Sequence, residues 1–162
     1  MVAAAVCLQE IGFSSAWRWF QLDEFDTLED LQEDIEVWFG KDSIVGVSDT
    51  EGLGPDSYGL SIKGSWNRYE DLKEVSDIDA YFAWMELQGA QYATPENFQD
   101  AYVGTFEDDT KFAWWYVETY GVFDMLPSGL QWLSQYFDAQ KYSQMLLTTH
   151  FRESDGHYFQ SC

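Results

Sequence analysis

The sequence predicts an α+β protein: an elongated chain of three small α/β subdomains with mixed short sheets and acidic amphipathic helices. Short runs rich in aromatic and β-branched residues open the chain, as is typical of strands. Apolar residues then recur at helical spacing, and capping residues and glycines bound several of these runs. Hydrophobic residues make up 46% of the 162 residues, which is enough to build a core.

The first subdomain is predicted over residues 1–56 as a small sheet with one helix across it. Strand composition predicts its three strands at residues 2–9, 16–23 and 43–47. Residues 48–59 are rich in Gly, Pro, Asp and Ser, so we expect a loop that leads into the next subdomain.

The helix of this subdomain is predicted to be amphipathic. Thr27 is its expected N-cap, with Asp30 as the acid of a short capping box, and Gly40 is its expected end. One sector of the helical wheel is apolar and holds Leu28, Leu31, Ile35, Trp38 and Phe39. The opposite sector is acidic and holds Glu29, Asp30, Glu33, Asp34 and Glu36. The apolar sector is therefore expected to pack on the sheet and leave the carboxylates in water.

A central helical subdomain is predicted over residues 57–97. Its sequence favours two consecutive helices, the first at residues 67–75. The second is expected to begin after a Ser76 cap and to end at Gly89.

A C-terminal helical subdomain is predicted over residues 98–162. Thr94 and Pro95 lead into it as the cap and first turn of a helix. Three further helices are expected at residues 108–121, 128–137 and 138–147. The chain is expected to close with a β-hairpin that turns at Asp155 and Gly156.

The chain is strongly acidic. It has 29 Asp and Glu against 8 Lys and Arg, which gives a formal net charge of −21. This balance excludes direct binding of nucleic acid, which needs a basic surface, and favours cations or proteins with basic grooves as partners. Since repulsion between the acids destabilises the folded state, we expect a function that uses them.

The termini and the cysteines predict a cytoplasmic protein. No apolar run is long enough to span a membrane, and the start lacks the basic residues of a signal peptide. Cys7 and Cys162 are expected to be reduced thiols rather than a disulfide that joins the ends of the chain.

The sequence contains no recognisable catalytic or metal motif. His150, His157 and Cys162 fit no zinc spacing, and serine-nucleophile, phosphate-loop and dinucleotide patterns do not occur. The acidic loop that starts at Asp49 fails as an EF-hand, because Leu53 takes the place of an oxygen ligand. A carboxylate pair for glycoside hydrolysis stays open, since among 29 acids each pair is uninformative. We therefore expect no enzyme activity, no cofactor and no metal.

The aromatic residues leave two interpretations open. Exposed Trp and Tyr would suit a carbohydrate-binding module, although most of the tryptophans lie on apolar helical faces, where core packing is favoured. The helix over residues 112–120 is apolar on two sides, so one side is predicted to contact a second copy of the chain. The residues assigned to this homodimer contact are Phe112, Trp114, Trp115 and Tyr116.

The acids are hardly interleaved with bases. Residues 19–40 contain no Lys or Arg, and residues 90–124 contain only Lys111, whereas surface helices usually pair acids with Lys one turn away. Duplex DNA carries one charge per about 1.7 Å, so 29 carboxylates equal the charge on roughly 50 Å of duplex. A folded array of unpaired carboxylates would be drawn to DNA-binding grooves as DNA is.

Several segments resemble the ArdA family of antirestriction proteins. The similar stretches are "AWRWFQLDEF", "IVGVSDTEGLG", "RYEDLKEVSDIDAYFAWMEL", "FQDAYVGTFEDDTKFAWWYVETYG" and "YFDAQKYSQMLL", followed by the terminal hairpin. Their order is similar to that of the family over nearly the whole chain. The opening stretch, with three alanines and "QEIGFSS", departs from the family pattern.

The resemblance implies an elongated, homodimeric α+β protein of three small domains in the cytoplasm of a host bacterial cell. Such proteins mimic bent B-form DNA, block the DNA-binding groove of type I restriction-modification enzymes and protect a mobile genetic element, without catalysis or cofactor. An alternative is an acidic mimic directed at another DNA-binding protein, such as a nucleoid protein or a CRISPR effector. The acids implied to replace phosphates are Asp23, Glu24, Asp26, Glu29, Asp30, Glu33, Asp34, Glu36, Glu70, Asp71, Glu74, Asp77, Asp79, Asp100, Glu107, Asp108, Asp109 and Glu118.

Overall fold

The structure, a computed structural model, describes residues 4–12 and 16–161. The chain forms two compact units, Met1–Pro95 and Glu96–Cys162. Within the described residues each unit holds a three-stranded sheet and helices, so the predicted α+β class is confirmed. The division into three subdomains, with boundaries after residues 56 and 97, remains a prediction.

The first sheet is antiparallel throughout. Its strands are β1 (Ala5–Glu10), β2 (Trp17–Gln21) and β3 (Val45–Glu51). The order is β2-β1-β3, and Val6 of the central strand lies opposite Phe20 and Thr50. Mixed sheets were expected, but both strand pairs here are antiparallel. The six residues between β1 and β2 are too few for the crossover that parallel pairing needs. Strand β3 also runs further than predicted into the expected loop, and residues 2 and 3 of the predicted first strand lie outside the described residues.

Helix α1, Leu28–Phe39, begins and ends as predicted. The Thr27 hydroxyl accepts a hydrogen bond from the Asp30 backbone N–H at 3.1 Å, and the Asp30 carboxylate accepts one from the Thr27 N–H at 3.0 Å. These two bonds complete the capping box. Gly40 ends the helix with a φ of 97°, a conformation that favours glycine.

The apolar sector of α1 packs on one face of the first sheet. Leu31 and Ile35 are buried, and the Phe39 ring lies 6.4 Å from the ring of Phe20 on β2. Trp38 differs from the prediction, since 54% of it is exposed at the edge of this contact. Packing against the sheet therefore fixes which side of α1 faces solvent.

Two more helices complete the first unit. They are α2 (Ile62–Glu74) and α3 (Ile78–Gln88). Helix α2 begins earlier than predicted, because the Ser61 hydroxyl caps it. Helix α3 ends at Gly89 as predicted, but the predicted Ser76 cap is wrong by one residue: the Asp77 carboxylate accepts the Ala80 N–H at 3.0 Å. Asp caps a helix as well as Ser does, so two adjacent candidates could not be separated by residue type.

A pair of alanine substitutions tests these two cap assignments. Thr27→Ala is expected to lower the free energy of unfolding by about 1 kcal/mol, because it leaves backbone N–H groups of the first turn without a partner. Ser76→Ala is the matched control, since Ser76 is exposed and precedes the true cap. Urea denaturation of both variants measures the difference. Equal losses in the two variants would contradict the cap assignments.

The second unit contains the remaining elements. They are α4 (Pro95–Ala101, which starts at the unit boundary), β4 (Tyr102–Thr105), α5 (Asp109–Thr119), α6 (Ala139–Thr149), β5 (Phe151–Ser154) and β6 (His157–Gln160). The predicted hairpin is confirmed: β5 and β6 pair through Asp155 and Gly156, which have φ values of 51° and 79°. Strand β4 was not predicted, and it completes an antiparallel sheet of order β4-β6-β5. The predicted helix at residues 128–137 is a short 3-10 helix instead, at Gln131–Tyr136, in a segment broken by Pro127 and Gly129.

Helices α5 and α6 share an aromatic core with this second sheet. Phe112, Leu146, Phe151 and Tyr158 are buried together, and the Phe112 ring lies 4.5 Å from the Tyr158 ring. Asp108 caps α5 and Asp138 caps α6, both through their side chains. The helices predicted at residues 108–121 and 138–147 are thereby confirmed in type.

Cys7 is a buried free thiol, while Cys162 lies outside the described residues. Across residues 4–12 and 16–161, helices that are long and apolar enough to cross a membrane do not occur.

Candidate protein-binding surface

Both units carry an excess of carboxylates. Residues 1–95 contain 19 acids and 5 bases, and residues 96–162 contain 10 acids and 3 bases. Of the 18 acids predicted to replace phosphates, 14 are exposed, which places most of the predicted set in contact with solvent. The half-buried members are Asp34, Glu70, Asp71 and Asp77.

The solvent face of α1 carries the densest group of these acids. Glu29, Asp30, Glu33 and Glu36 are all exposed. Side chains one helical turn apart have Cβ atoms about 5–6 Å apart. In the part of the chain that the structure describes, no Lys or Arg nitrogen forms an ion pair with any of them. The capped, packed helix therefore holds a row of charges open to a partner.

Some predicted acids are already engaged within their own unit. Glu70 binds Lys73 at 2.6 Å, and this hydrogen bond raises the pKa of the Lys73 ammonium group. Asp109 accepts a hydrogen bond from the Tyr158 hydroxyl at 2.6 Å. Asp108 accepts bonds from the Thr110 hydroxyl and backbone N–H groups of the first turn, which lower its pKa and keep it ionised. Apart from Asp30, whose carboxylate accepts the Thr27 N–H in the capping box, the exposed acids of α1 are thus more available to a partner than these.

Asp71 on α2 is one of the acids predicted to replace phosphates, and its surroundings oppose its ionisation. Burial raises the pKa of its carboxyl group, and the nearby charges of Glu74 and Glu70 raise it further. The Arg68 guanidinium acts in the opposite direction but does not cancel these effects. Ionised Asp71 therefore reduces the stability of the fold.

Replacement of Asp71 by Asn is expected to raise the melting temperature at neutral pH. A carboxyl group with a raised folded pKa destabilises the folded state while ionised, and this cost disappears as pH falls through that pKa. The gain from Asp71→Asn should therefore shrink on acidification, as the native residue also becomes neutral. Thermal melts across this pH range measure the effect, with Glu86→Gln, an exposed acid on α3, as the control. A lower melting temperature for Asp71→Asn at neutral pH would contradict the assignment.

Arg68 is a buried cation that sequence reasoning missed. One guanidinium nitrogen, Nη1, donates to the carbonyls of Leu53 and Pro55 at 3.3 and 3.2 Å, and Nη2 donates to the Ala90 carbonyl at 3.3 Å. Only 9% of the residue is exposed. Arg68 joins a loop and the end of α3 to α2, so it supports the acidic surface without neutralising α1. Its position one turn before the buried Leu72 was the one available signal.

The predicted dimer contact on α5 is largely used inside its own unit. Phe112 is fully buried, so its side chain offers no surface to a second copy, and Trp115 and Tyr116 pack against the same core. Trp114 is 41% exposed, with its ring 4.9 Å from the ring of Phe137. The two apolar sides of this helix therefore have partners within the unit, apart from the open part of Trp114.

An exposed apolar segment follows α5. Residues 125–137 contain no Asp, Glu, Lys or Arg. The segment exposes large apolar side chains at Met125, Leu130, Trp132, Leu133 and Tyr136, with Met125 and Tyr136 more than 70% exposed. Contiguous apolar surface of this kind marks interaction sites. The sequence analysis predicted a helix at residues 128–137 and did not indicate this exposure.

The two histidines that were considered as metal ligands have different surroundings. His157 has its Nδ1 atom 3.3 Å from the Tyr102 hydroxyl and 3.2 Å from the Thr105 hydroxyl, in a small polar cluster on the second sheet. His150 is exposed directly after α6, and Cys162 lies outside the described residues.

The fold and this surface define the class: an α+β protein whose first helix displays unpaired carboxylates. A scan against protein-family models and a search of the curated proteins found no match for the chain.

Proposed function

We propose that this chain is a protein mimic of B-form DNA that occupies the DNA-binding groove of type I restriction-modification enzymes, the function that its resemblance to the ArdA family implies. The observation that supports this most strongly is the solvent face of α1. It exposes Glu29, Glu33 and Glu36, none of which forms an ion pair within the described residues, although residues 1–95 contain 5 bases. A surface helix selected for stability would pair such acids with Lys.

The physical basis of the proposal is electrostatic replacement of phosphates. A groove that binds duplex presents Arg and Lys at intervals along its length, and these residues hold most of the affinity. Carboxylates on a capped helix offer charge at a similar density on a backbone that needs no ordering on binding. The exposed acids of α3 and of the loop before α1 add to the negative charge of the first unit, and those of α5 add to the charge of the second unit. No catalytic step is required of any of them.

The exposed apolar segment over residues 125–137 is a better candidate for the contact surface of the proposed homodimer than α5 is. Two chains of net charge −21 repel each other, so they are expected to meet where neither carries charge. The apolar segment that contains Trp132 and Tyr136 meets this condition, and its exposed aromatic rings suit the centre of an interface.

Charge placed in this segment is expected to separate the proposed dimer. Trp132→Lys with Tyr136→Lys puts two ammonium groups on each side of the contact, and burying them unpaired is unfavourable. Sedimentation velocity should show a dimer for the native chain and a monomer for the variant. Tyr58→Lys, at an exposed tyrosine of the first unit, is the control and should remain dimeric. An unchanged dimer in the double variant would contradict this placement.

Protection of unmodified phage in a restricting bacterium tests the function itself. Expression of the chain is expected to raise phage recovery towards that of a strain without the type I nuclease. Unchanged recovery at confirmed expression would contradict the proposal. Displacement of DNA from a nucleoid protein or a CRISPR effector would then favour a mimic with another target. Binding of an oligosaccharide would favour a carbohydrate-binding module, for which the exposed Trp17 and Trp132 are the supporting observation.

A further inference from the structure

The face of the first sheet that lies opposite α1 has its own composition. Phe20 on β2 points towards α1, where its ring contacts Phe39. Because side chains alternate along a strand, Trp17 and Trp19 point to the other face. They are 60% and 36% exposed, whereas Phe20 is 2% exposed. This open face, which we call the tryptophan face, is separated from the α1 carboxylates by the thickness of the sheet and the helix.

On the tryptophan face, the strand register places aromatic residues of β2 level with carboxylates of β3. Cys7 of β1 lies between Trp19 on β2 and Asp49 on β3, and Ala5 lies in the same way between Gln21 and Glu51. The central side chains are small and covered, while the outer ones are exposed. Neighbouring strands lie about 4.8 Å apart, so the backbones of β2 and β3 are roughly 10 Å apart across β1. Trp19 and Gln21 on β2 therefore face Asp49 and Glu51 on β3 across this distance.

The negative charge of Asp49 and Glu51 favours a cationic partner for this face. Arg18, the one base in the three strands, points to the opposite side, where its guanidinium lies 4.4 Å from the Trp38 ring. Asp49 accepts a hydrogen bond from the Thr50 backbone N–H at 2.8 Å, which leaves its second carboxylate oxygen for another donor. Glu51 forms no ion pair in the described part of the chain.

We propose that the tryptophan face binds arginine side chains on the surface of a second protein. A guanidinium group is planar and weakly hydrated, so it can stack on the Trp19 indole and donate to the Asp49 carboxylate at the same time. Lysine offers a strongly hydrated point charge and fits this combination less well. The inference goes beyond the proposed DNA mimicry, because it assigns a separate surface and a separate partner contact.

Titration with two short peptides, one of alternating Arg and Ser and one of alternating Lys and Ser, tests the proposal. The indole N–H signals of Trp17 and Trp19 are followed by NMR in the full chain. The arginine peptide is expected to shift both signals and to bind roughly tenfold more tightly than the lysine peptide. Equal affinity for the two peptides would overturn the proposal, because it would show general charge attraction.

Variants locate the binding and separate it from the proposed function. Their peptide affinities are measured by isothermal titration calorimetry, because the tryptophan variant lacks the two indole signals. Trp17→Ala with Trp19→Ala is expected to abolish the selectivity for arginine, and Tyr58→Ala, at an exposed aromatic residue outside the three strands, is expected to preserve it. If loss of Trp19 impairs folding, Asp49→Asn with Glu51→Gln provides a second test at exposed positions and should weaken binding similarly. Glu29→Gln with Glu33→Gln and Glu36→Gln should leave arginine binding intact. Unchanged binding in the tryptophan and the carboxylate variants, or indole shifts caused by cellohexaose, would overturn the assignment.

Discussion

Replacement of Glu29, Glu33 and Glu36 together by Gln is expected to weaken displacement of DNA from a type I methyltransferase by roughly tenfold or more. An exposed ion pair contributes about 0.2–1 kcal/mol, so loss of three of them reaches this range. The fold should be unaffected, because all three side chains are exposed and the buried Leu31 and Ile35 are unchanged. Reduced repulsion along α1 should even raise the melting temperature slightly.

The salt dependence of this variant separates specific contacts from total charge. Each lost contact with a basic side chain of the target should lower the slope of log affinity against log salt by about 1. The matched control also removes three negative charges, but at exposed acids outside the 18 that were predicted to replace phosphates: Asp42→Asn, Asp56→Asn and Glu86→Gln. If the control loses as much affinity as the α1 variant, net charge alone accounts for the competition and the α1 face has no special role.

Replacement of Arg68 by Met is expected to have the largest effect on stability, a loss of about 3 kcal/mol or more. The substitution keeps the apolar stem but leaves the carbonyls of Leu53, Pro55 and Ala90 without their donor, and each buried unsatisfied group costs about 1–3 kcal/mol. Since small proteins are stable by only about 5–15 kcal/mol, the variant should lose a large share of its free energy of unfolding.

Two further variants make the Arg68 result interpretable. Lys63→Met removes one positive charge from an exposed position on the same helix and should change the free energy of unfolding little. Arg68→Lys keeps the charge but has its donors on one nitrogen instead of two, so its stability should fall between those of the native chain and Arg68→Met. Urea denaturation provides the three values. Equal stability of Arg68→Met and Lys63→Met would show that the hydrogen bonds of Arg68 do not matter.

Elements with strong local signals could be predicted from the sequence. The capping box at Thr27, the glycine at position 40 and the Asp155–Gly156 turn each act over a few residues, and all three are confirmed. Strand β4 could not be predicted in this way, because four residues between two helices carry little periodic signal. It exists through its pairing with β6, which is distant along the chain.

The same distinction between local signals and contacts that are distant along the chain applies to the candidate site. Exposure of the α1 acids follows from amphipathic spacing, which the sequence shows directly. The burial of Phe112 and the engagement of Glu70 by Lys73 depend on which neighbours are available in the folded unit. Residues 128–137 show this most clearly: a helix was predicted there, but the segment forms a short 3-10 helix and exposes large apolar side chains. The sequence thus favoured α5 for the dimer contact, and the exposed surface favours the segment that follows it.

Competition for a single groove is the most direct test of DNA mimicry. A labelled duplex bound to a type I methyltransferase is titrated with the chain, and the bound fraction is followed by fluorescence anisotropy at several salt concentrations. Mimicry predicts complete displacement of the duplex by the chain, no complex that contains both ligands, and an apparent affinity that falls steeply as salt rises. Retention of the duplex at every excess of the chain, or a complex of methyltransferase, duplex and chain together, would contradict it.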